Sequence, residues 1–462
     1  MLSMFDFACR AVLAGRIVRR IRQASGRRVA LACAVWPLVA AVAACSTPIE
    51  LVPSSNARID PAALERMSAE GDRMIVVAVA NPNESVPVLA GTTVGAYGGA
   101  PGYLAYGSAR ATIAALADDY HLQQVMAWPI VPLSAHCAVL EVMGRQTRAQ
   151  VLERLSKDRR VRIAQPLQSF STLSDVRLPR YDADYGDLQQ GSREVDVRAA
   201  HRVSQGQGVR IAVIDTGVDT AHPALAGQIA LVRDLVDADK AQFTHDLHGT
   251  AVAGVIAAKP TNGHGIVGVA PRARILALKA CWHTPSADGK NPTGPAVCNS
   301  VTLALALAVA AEAHADIINL SLSGPPDPLL TQLVDSAVQH GVVVVGAMPP
   351  NGDARAFPVG IPHVIAADAS DSRAPASVIR APGRDVLTLT PGGHYDFMSG
   401  SSFSAAYVSG VAALVLAAVP GVDPVHLLAA LKSASGVQQV VDACQALVAA
   451  GGAPCEAQTV SR

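Results

Sequence analysis

Three side chains stand out by type and by setting. Ser402 heads an uncharged, small-residue run, Phe397-Met-Ser-Gly-Ser-Ser-Phe-Ser-Ala-Ala-Tyr-Val-Ser-Gly-Val-Ala-Ala-Leu-Val-Leu416. His248 heads a second run of that kind, His248-Gly-Thr-Ala-Val-Ala-Gly-Val-Ile-Ala-Ala258, and Asp215 closes the apolar stretch Val209 to Ile214. A serine hydroxyl turns nucleophilic when a base takes its proton. An imidazole that does so needs a carboxylate to fix its tautomer and stabilise its charged form. Each residue also has an ordinary reading. Ser401 and Ser402 can cap a helix, Asp215 can form a turn, and His248 can simply begin a helix.

The elements that carry them are readable. Residues 397–416 spell a polar, glycine-containing turn followed by a buried helix, whose free N–H groups and positive dipole end point at Ser401 and Ser402. Val209 to Ile214 reads as a buried parallel strand. Asp215 then falls at the carboxyl edge of the sheet, where ligands bind in open α/β folds. Gly249 and Gly254 let the helix after His248 approach its neighbours closely.

Together, the three stretches in the order Asp, His, Ser resemble the subtilisin-like serine peptidases. The resemblance runs from about Tyr185 to Ser435. It implies a doubly wound, mostly parallel α/β sheet with helices on both faces, in a catalytic domain over 195–440. By position, Asp215 matches the orienting carboxylate, His248 the general base and Ser402 the nucleophile of an acyl-enzyme mechanism on polypeptide substrates. The stretch Asp316 to Gly324 matches the strand that lines the substrate cleft, so Ser321, Leu322, Ser323 and Gly324 are expected there, with Gly346 to Met348 bordering the first pocket.

The chain also departs from the family. Where a Gly-Asn pair normally supplies an oxyanion donor, it reads Gly346-Ala-Met-Pro-Pro-Asn-Gly-Asp353. The ungapped match is Pro350, which has no side-chain donor; a one-residue slip gives Asn351, which also suits an ordinary Asn-Gly turn. The backbone N–H of Ser402 remains as a donor either way. Ala406 stands where the family often has proline. His222-Pro223 matches the family, with the histidine structural. His245, His264, His283 and His394 read as surface or loop histidines, and Asp246 as a solvated loop charge. No metal site or cofactor is assigned; structural calcium, common in the family, has no committed ligands here.

Upstream, residues 71–172 alternate as βαββαβ, a ferredoxin-like pattern. The strands are Met74 to Ala80, Gln124 to Ile130, His136 to Val142 and Val161 to Pro166. The helices are Ser108 to Tyr120, with Ser108 as cap, and Thr147 to Ser156; Pro82 to Gly107 reads as a loop. In front of a subtilase domain this pattern resembles the family's inhibitory propeptide, which implies that about Gln165 to Thr172 lies in the cleft. The alternative is an accessory domain that is never removed. Residues 173–194 are polar and turn-rich, a linker and processing region.

Of 462 residues, half are apolar and 16% charged, with 37 basic against 37 acidic side chains. That composition suits a large core and gives no support for nucleic-acid binding. Residues 1–44 read as a signal peptide: arginines from Arg16 to Arg28, then the uncharged Val29 to Ala44, short for a membrane span. The long basic region is compatible with a start codon downstream of Met1. Val42-Ala43-Ala44-Cys45 resembles a lipoprotein box, which makes Cys45 a lipidation site and membrane anchor; ordinary cleavage after Ala44 is the alternative. Residues 45–70 follow as a spacer. Eight cysteines suit an oxidising compartment. Cys281 and Cys298 bracket a polar loop whose closure would contribute about 3 kcal/mol; Cys444 and Cys455 bracket an element of the tail, 441–462. Cys137 is left over as a small buried hydrophobe.

The sequence therefore points to a secreted or envelope-anchored serine endopeptidase made as a zymogen. A catalytically weak, peptide-binding relative of that fold is the alternative.

Overall fold

The computed structural model describes residues 59–81, 107–173, 175–176, 185–236, 240–261, 265–284, 295–375, 377–434 and 440–455. The signal peptide, Cys45, most of the 82–107 loop and His264 lie outside the described residues.

The N-terminal lobe has the expected element order, β1 (Met74–Ala80), a helix (Gly107–Tyr120), β2 (Leu122–Ile130), β3 (Ala135–Val142), a helix (Arg148–Leu155) and β4 (Val161–Pro166). Its sheet runs β2-β3-β1-β4, a ferredoxin-like arrangement. Period-two alternation gives the sheet two different faces. Ile75, Val77 and Val79 meet Ile113, Leu116, Val151 and Leu155 of the two helices. The opposite face, with Met74, Val76, Trp128 and Val139, shares a core with Val301, Leu329, Leu330 and Leu333 of the C-terminal lobe. Thr147 and Gln150 close a capping box on the second helix. Ser108, expected as the cap of the first, lies inside that helix instead.

The spacer reading of residues 45–70 needs correction at its end. Pro61–Ala69 is a helix, with Asp60 as N-cap and Pro61 in its first turn. Ala63 and Met67, four apart, bury their side chains in the core between the lobes.

Beyond β4 come β5 (Ser169–Thr172), β6 (Asp175–Val176), β7 (Arg210–Asp215), β8 (Ile229–Asp234), β9 (Arg274–Lys279), β10 (Cys281–His283), β11 (Ala296–Asn299), β12 (Ile317–Leu320), β13 (Leu322–Ser323), β14 (Val343–Ala347), β15 (Ile365–Ala369), β16 (Ile379–Ala381), β17 (Val386–Thr390) and β18 (His394–Ser399). Seven of them form one sheet in the order β16-β15-β14-β12-β7-β9-β8. Every pairing in it is parallel. Such a sheet must be covered on both faces, which explains its near-continuous apolar strands. The Leu247–Ala257 and Ser401–Ala418 helices cover one face with Val213, Ile275 and Val345. The Ser300–Glu312 and Pro328–Gln339 helices cover the other with Ile214, Leu276 and Ile318.

The Ser401–Ala418 helix is long and apolar enough to cross a membrane, yet 78% of it is buried inside the fold, so it is a core helix. The C-terminal tail is also more than an appendage. The Ala443–Ala449 helix buries Ala443, Ala446 and Leu447 in the main core, and its first N–H donates to the Val195 carbonyl. The boundary expected at residue 440 therefore cuts through a packed unit.

Candidate active site

Strand β7 delivers Asp215 to the carboxyl edge of the parallel sheet, and the Leu247–Ala257 helix delivers His248 in its first turn. The two side chains meet there. His248 Nδ1 lies 2.7 Å from Asp215 Oδ1, which also accepts the Thr216 N–H at 2.7 Å. Both are almost wholly buried, and among the described residues neither Asp215 Oδ2 nor His248 Nε2 has a partner. With the Nδ1 proton held by the carboxylate, Nε2 is left as the basic nitrogen.

Ser402 lies in the first turn of the Ser401–Ala418 helix. Gly400 precedes its helix at φ 152° and ψ 153°, a conformation that side chains rarely adopt, and this turns the chain sharply from β18 into the helix. Neither serine acts as the cap. Ser401 Oγ donates to the Met348 carbonyl at 2.7 Å, and Ser402 Oγ donates to the Leu173 carbonyl at 2.7 Å and the Ser321 carbonyl at 3.1 Å.

The Leu173 contact brings the end of β5 against Ser402. Strand β5 lies between β11 and β13, antiparallel to both, with Ser171 opposite Ser323 and Thr172 opposite Leu322. On the far side of Ser402, β6 pairs with β18, Val176 opposite Met398 and Asp175 opposite Ser399. Strand pairing thus holds the chain up to Thr172 and again at Asp175 and Val176. Phe170 is buried edge-on against Phe357, ring centroids 5.2 Å apart. Leu322 and Ser323 pair with β5, Gly324 bridges to Phe357, and the Ser321 carbonyl accepts from Ser402 Oγ. A neighbouring cleft of about 640 Å³ is bordered by Leu173, Met348, Pro350, Asn351, Gly383 and Ser401.

Asn351, the expected oxyanion donor, borders that cleft and is exposed; its Oδ1 accepts the Asp353 N–H at 3.0 Å, a bond made by the acceptor oxygen and not by the Nδ2 donor. The Asn-Gly turn uses the oxygen of this side chain, and the prolines before it supply no donor. Asn351→Ala is accordingly expected to lower kcat less than about tenfold, against about 10²–10³ for loss of an oxyanion donor. Steady-state kinetics on a peptide substrate will measure this.

Asp246 is not a solvated charge. It is buried and paired with Lys279 Nζ, which also donates to the Thr216 carbonyl at 2.5 Å. Burial pushes the Asp246 carboxyl up to about 6, with the Lys279 ammonium opposing it. Lys279 faces Asp215 across β7 and β9, so this pair braces the strand ends that hold Asp215. The signal was available in the sequence. A lysine ending the apolar run Ile275 to Leu278 must find a partner if that strand is buried.

The remaining assignments fall as follows. His222 Nδ1 accepts the Ala224 N–H, and Nε2 lies 3.1 Å from the His394 carbonyl; burial lowers its pKa. That is a structural role, as expected. His245 and His394 are exposed, whereas His283 is half-buried, 3.7 Å from Asp246. Cys281–Cys298 and Cys444–Cys455 are disulfides, and Cys137 is free and buried. Among the described residues, no group of three His, Cys, Asp or Glu side chains could hold a metal ion.

A doubly wound α/β fold that pairs a carboxylate with an imidazole at its carboxyl edge, with the Phe403 ring next to Ser402 lying 6.2 Å from that imidazole, has the architecture of a serine hydrolase. The comparisons narrow the class. The subtilase family pattern matches residues 206–447, more than half of the chain. The chain is 36% identical over 246 residues to the thermophilic serine proteinase of Bacillus sp. (strain AK1), covering 51% of this chain and 59% of that protein. It is 34% identical over 245 residues to thermitase of Thermoactinomyces vulgaris, covering 51% of this chain and 84% of that protein. This chain belongs to the subtilase family of serine peptidases. Fervidolysin from Fervidobacterium pennivorans, a keratinolytic enzyme related to subtilisin, superposes with a TM-score of 0.60 at 21% identity, over 83% of this chain and 61% of that one. That likeness extends the shared fold beyond the family match. The chain spans less than two thirds of fervidolysin and of the Bacillus proteinase.

Proposed function

We propose that this chain is a serine endopeptidase made as a zymogen, with Ser402 as nucleophile, His248 as general base and Asp215 as its orienting carboxylate. The observation that carries the proposal is the chain's own strand in the cleft, its Leu173 carbonyl on Ser402 Oγ. The bond offered to the serine is Leu173–Ser174, inside the expected processing region. For reaction, the Ser402 hydroxyl turns from the carbonyl oxygens to His248 Nε2, gives up its proton, and attacks the Leu173 carbon. The Ser402 backbone N–H stabilises the oxyanion, and His248 returns the proton to the leaving Ser174 amine. Residues 71–172 then act as an intramolecular inhibitor until they are released.

We place the protein at a bacterial cell envelope, in the outer membrane or secreted, on the signal-like 1–44 and the Cys45 anchor. The two disulfides support an oxidising compartment. The Pro349-Pro350 departure favours a second reading, a weakly catalytic protein that holds peptides. A labelled fluorophosphonate separates the two. The peptidase reading expects covalent labelling that is lost in Ser402→Ala; no labelling of either protein supports the peptide-holding reading.

A further inference from the structure

One wall of the peptide groove is held from behind by a covalent bond. The Cys281–Cys298 disulfide joins directly opposed residues of β10 and β11, and both half-cystines are buried. The other edge of β11 faces the strand in the cleft. Val297 is opposite Ser171, Cys298 opposite Phe170 and Asn299 opposite Ser169. On its own side β10 is well fixed, because it follows β9 directly and Lys279 at the end of β9 is locked onto Asp246 and the Thr216 carbonyl. At the start of β11 the Pro295 carbonyl accepts the Thr284 N–H at 3.1 Å and the Thr284 Oγ1–H at 3.2 Å, bonds that tie it back only to the end of β10, and a ribbon of short paired strands is marginal by itself in water.

We propose that the Cys281–Cys298 disulfide positions β11 as a wall of the peptide groove, and so sets the affinity for polypeptide residues three or more places before the cleaved bond. This rests on the reading of the cleft as a peptidase groove. Counting back from Leu173 as the first residue, Ser171 is the third and the nearest that faces β11. Peptides with two residues before the bond do not reach this wall. Peptides with five, as in Ser169 to Leu173, pair along it. The Cys281 and Cys298 side chains touch no reacting atom, so their effect falls on binding.

The test compares the full chain with its Cys281→Ser/Cys298→Ser variant on two peptides, one with the sequence of residues 167–178 and one beginning at Thr172. For the long peptide, KM should rise about tenfold, the worth of one or two net hydrogen bonds, with kcat unchanged. Kinetics on the short peptide and the rate of fluorophosphonate labelling should stay at wild-type values. Equal effects on both peptides, or none on the long one, would overturn the proposal.

If the variant does not fold, the same comparison is made on folded protein carrying Cys444→Ser/Cys455→Ser. A dithiol reductant then converts Cys281–Cys298 to two thiols while it cyclises to its own disulfide. A rise in KM confined to the long peptide is again the expected result, and unchanged kinetics would sink the idea. A wild type that is never labelled by fluorophosphonate removes the peptidase reading itself, an outcome distinct from a labelled enzyme without length dependence.

Discussion

Asp215→Asn is expected to lower kcat/KM about 10⁴-fold, a loss of about 5.5 kcal/mol of transition-state stabilisation. Asp215 Oδ1 accepts from both His248 Nδ1 and the Thr216 N–H; an amide oxygen could take both bonds but carries no charge to stabilise the imidazolium that forms. An amide there can present its NH₂ to the ring, which favours the tautomer with its proton on Nε2 and removes the base. Stability should move the other way. Asp215 is a buried carboxylate whose Oδ2 has no partner among the described residues, and neutralising such a group relieves a desolvation cost. The variant should therefore melt at or above the wild-type temperature while losing activity. A fall in both together would mean that Asp215 acts chiefly in packing.

Gly249→Ala has the next largest expected effect, by a different route. A Cβ at Gly249 would lie 2.1 Å from the Gly217 carbonyl oxygen and 3.2 Å from Asp215 Cβ. The first obstacle is backbone, so the helix start must back away from the strand end. Overpacking of this kind costs about 1–3 kcal/mol of stability. It also carries His248, the neighbouring residue, off Asp215, and a displacement of about 1 Å at a catalytic group can cost about 10²-fold. Thermal melting and kcat/KM should both fall. An unchanged kcat/KM at a lowered melting temperature would show that the dyad does not depend on this close approach.

The features legible in the sequence were those set by local pattern. The apolar run ending in Asp215, the small-residue helices after His248 and Ser402, and the βαββαβ alternation each appear within a few turns of chain, and the structure has them all. The features that were missed depend on register between distant segments. Asp246 reads as a loop charge because its partner Lys279 lies on another strand, facing Asp215 only after β7 and β9 pair. The helix over Pro61–Ala69 and the tail helix over Ala443–Ala449 read as spacer and tail because each has too few apolar residues to declare a core of its own; both are held by surfaces built elsewhere. Asn351 shows the opposite limit. A family position and a turn signature fall on one residue, and what the structure shows of it is the turn bond of its Oδ1.

The cleft had the same mixture. That Gln165 to Thr172 approaches it followed from the resemblance, and Ser321 to Gly324 were expected as its lining. That the Leu173 carbonyl meets Ser402 Oγ could not be read, because it depends on the register of β5 against β13 and of β6 against β18. Leu173 gains its place from those pairings and from the burial of Phe170 beside Phe357, which pins the strand along its length.

The most direct test of the central claim is intact mass with N-terminal sequencing of the chain lacking residues 1–45, beside its Ser402→Ala variant. The account predicts that the wild type shortens to a new N-terminus at Ser174 while the variant stays full length. If both stay full length, Ser402 does not act on the strand that lies across it. If both are cut at Leu173–Ser174, another protease does the processing and the self-cleavage claim is contradicted.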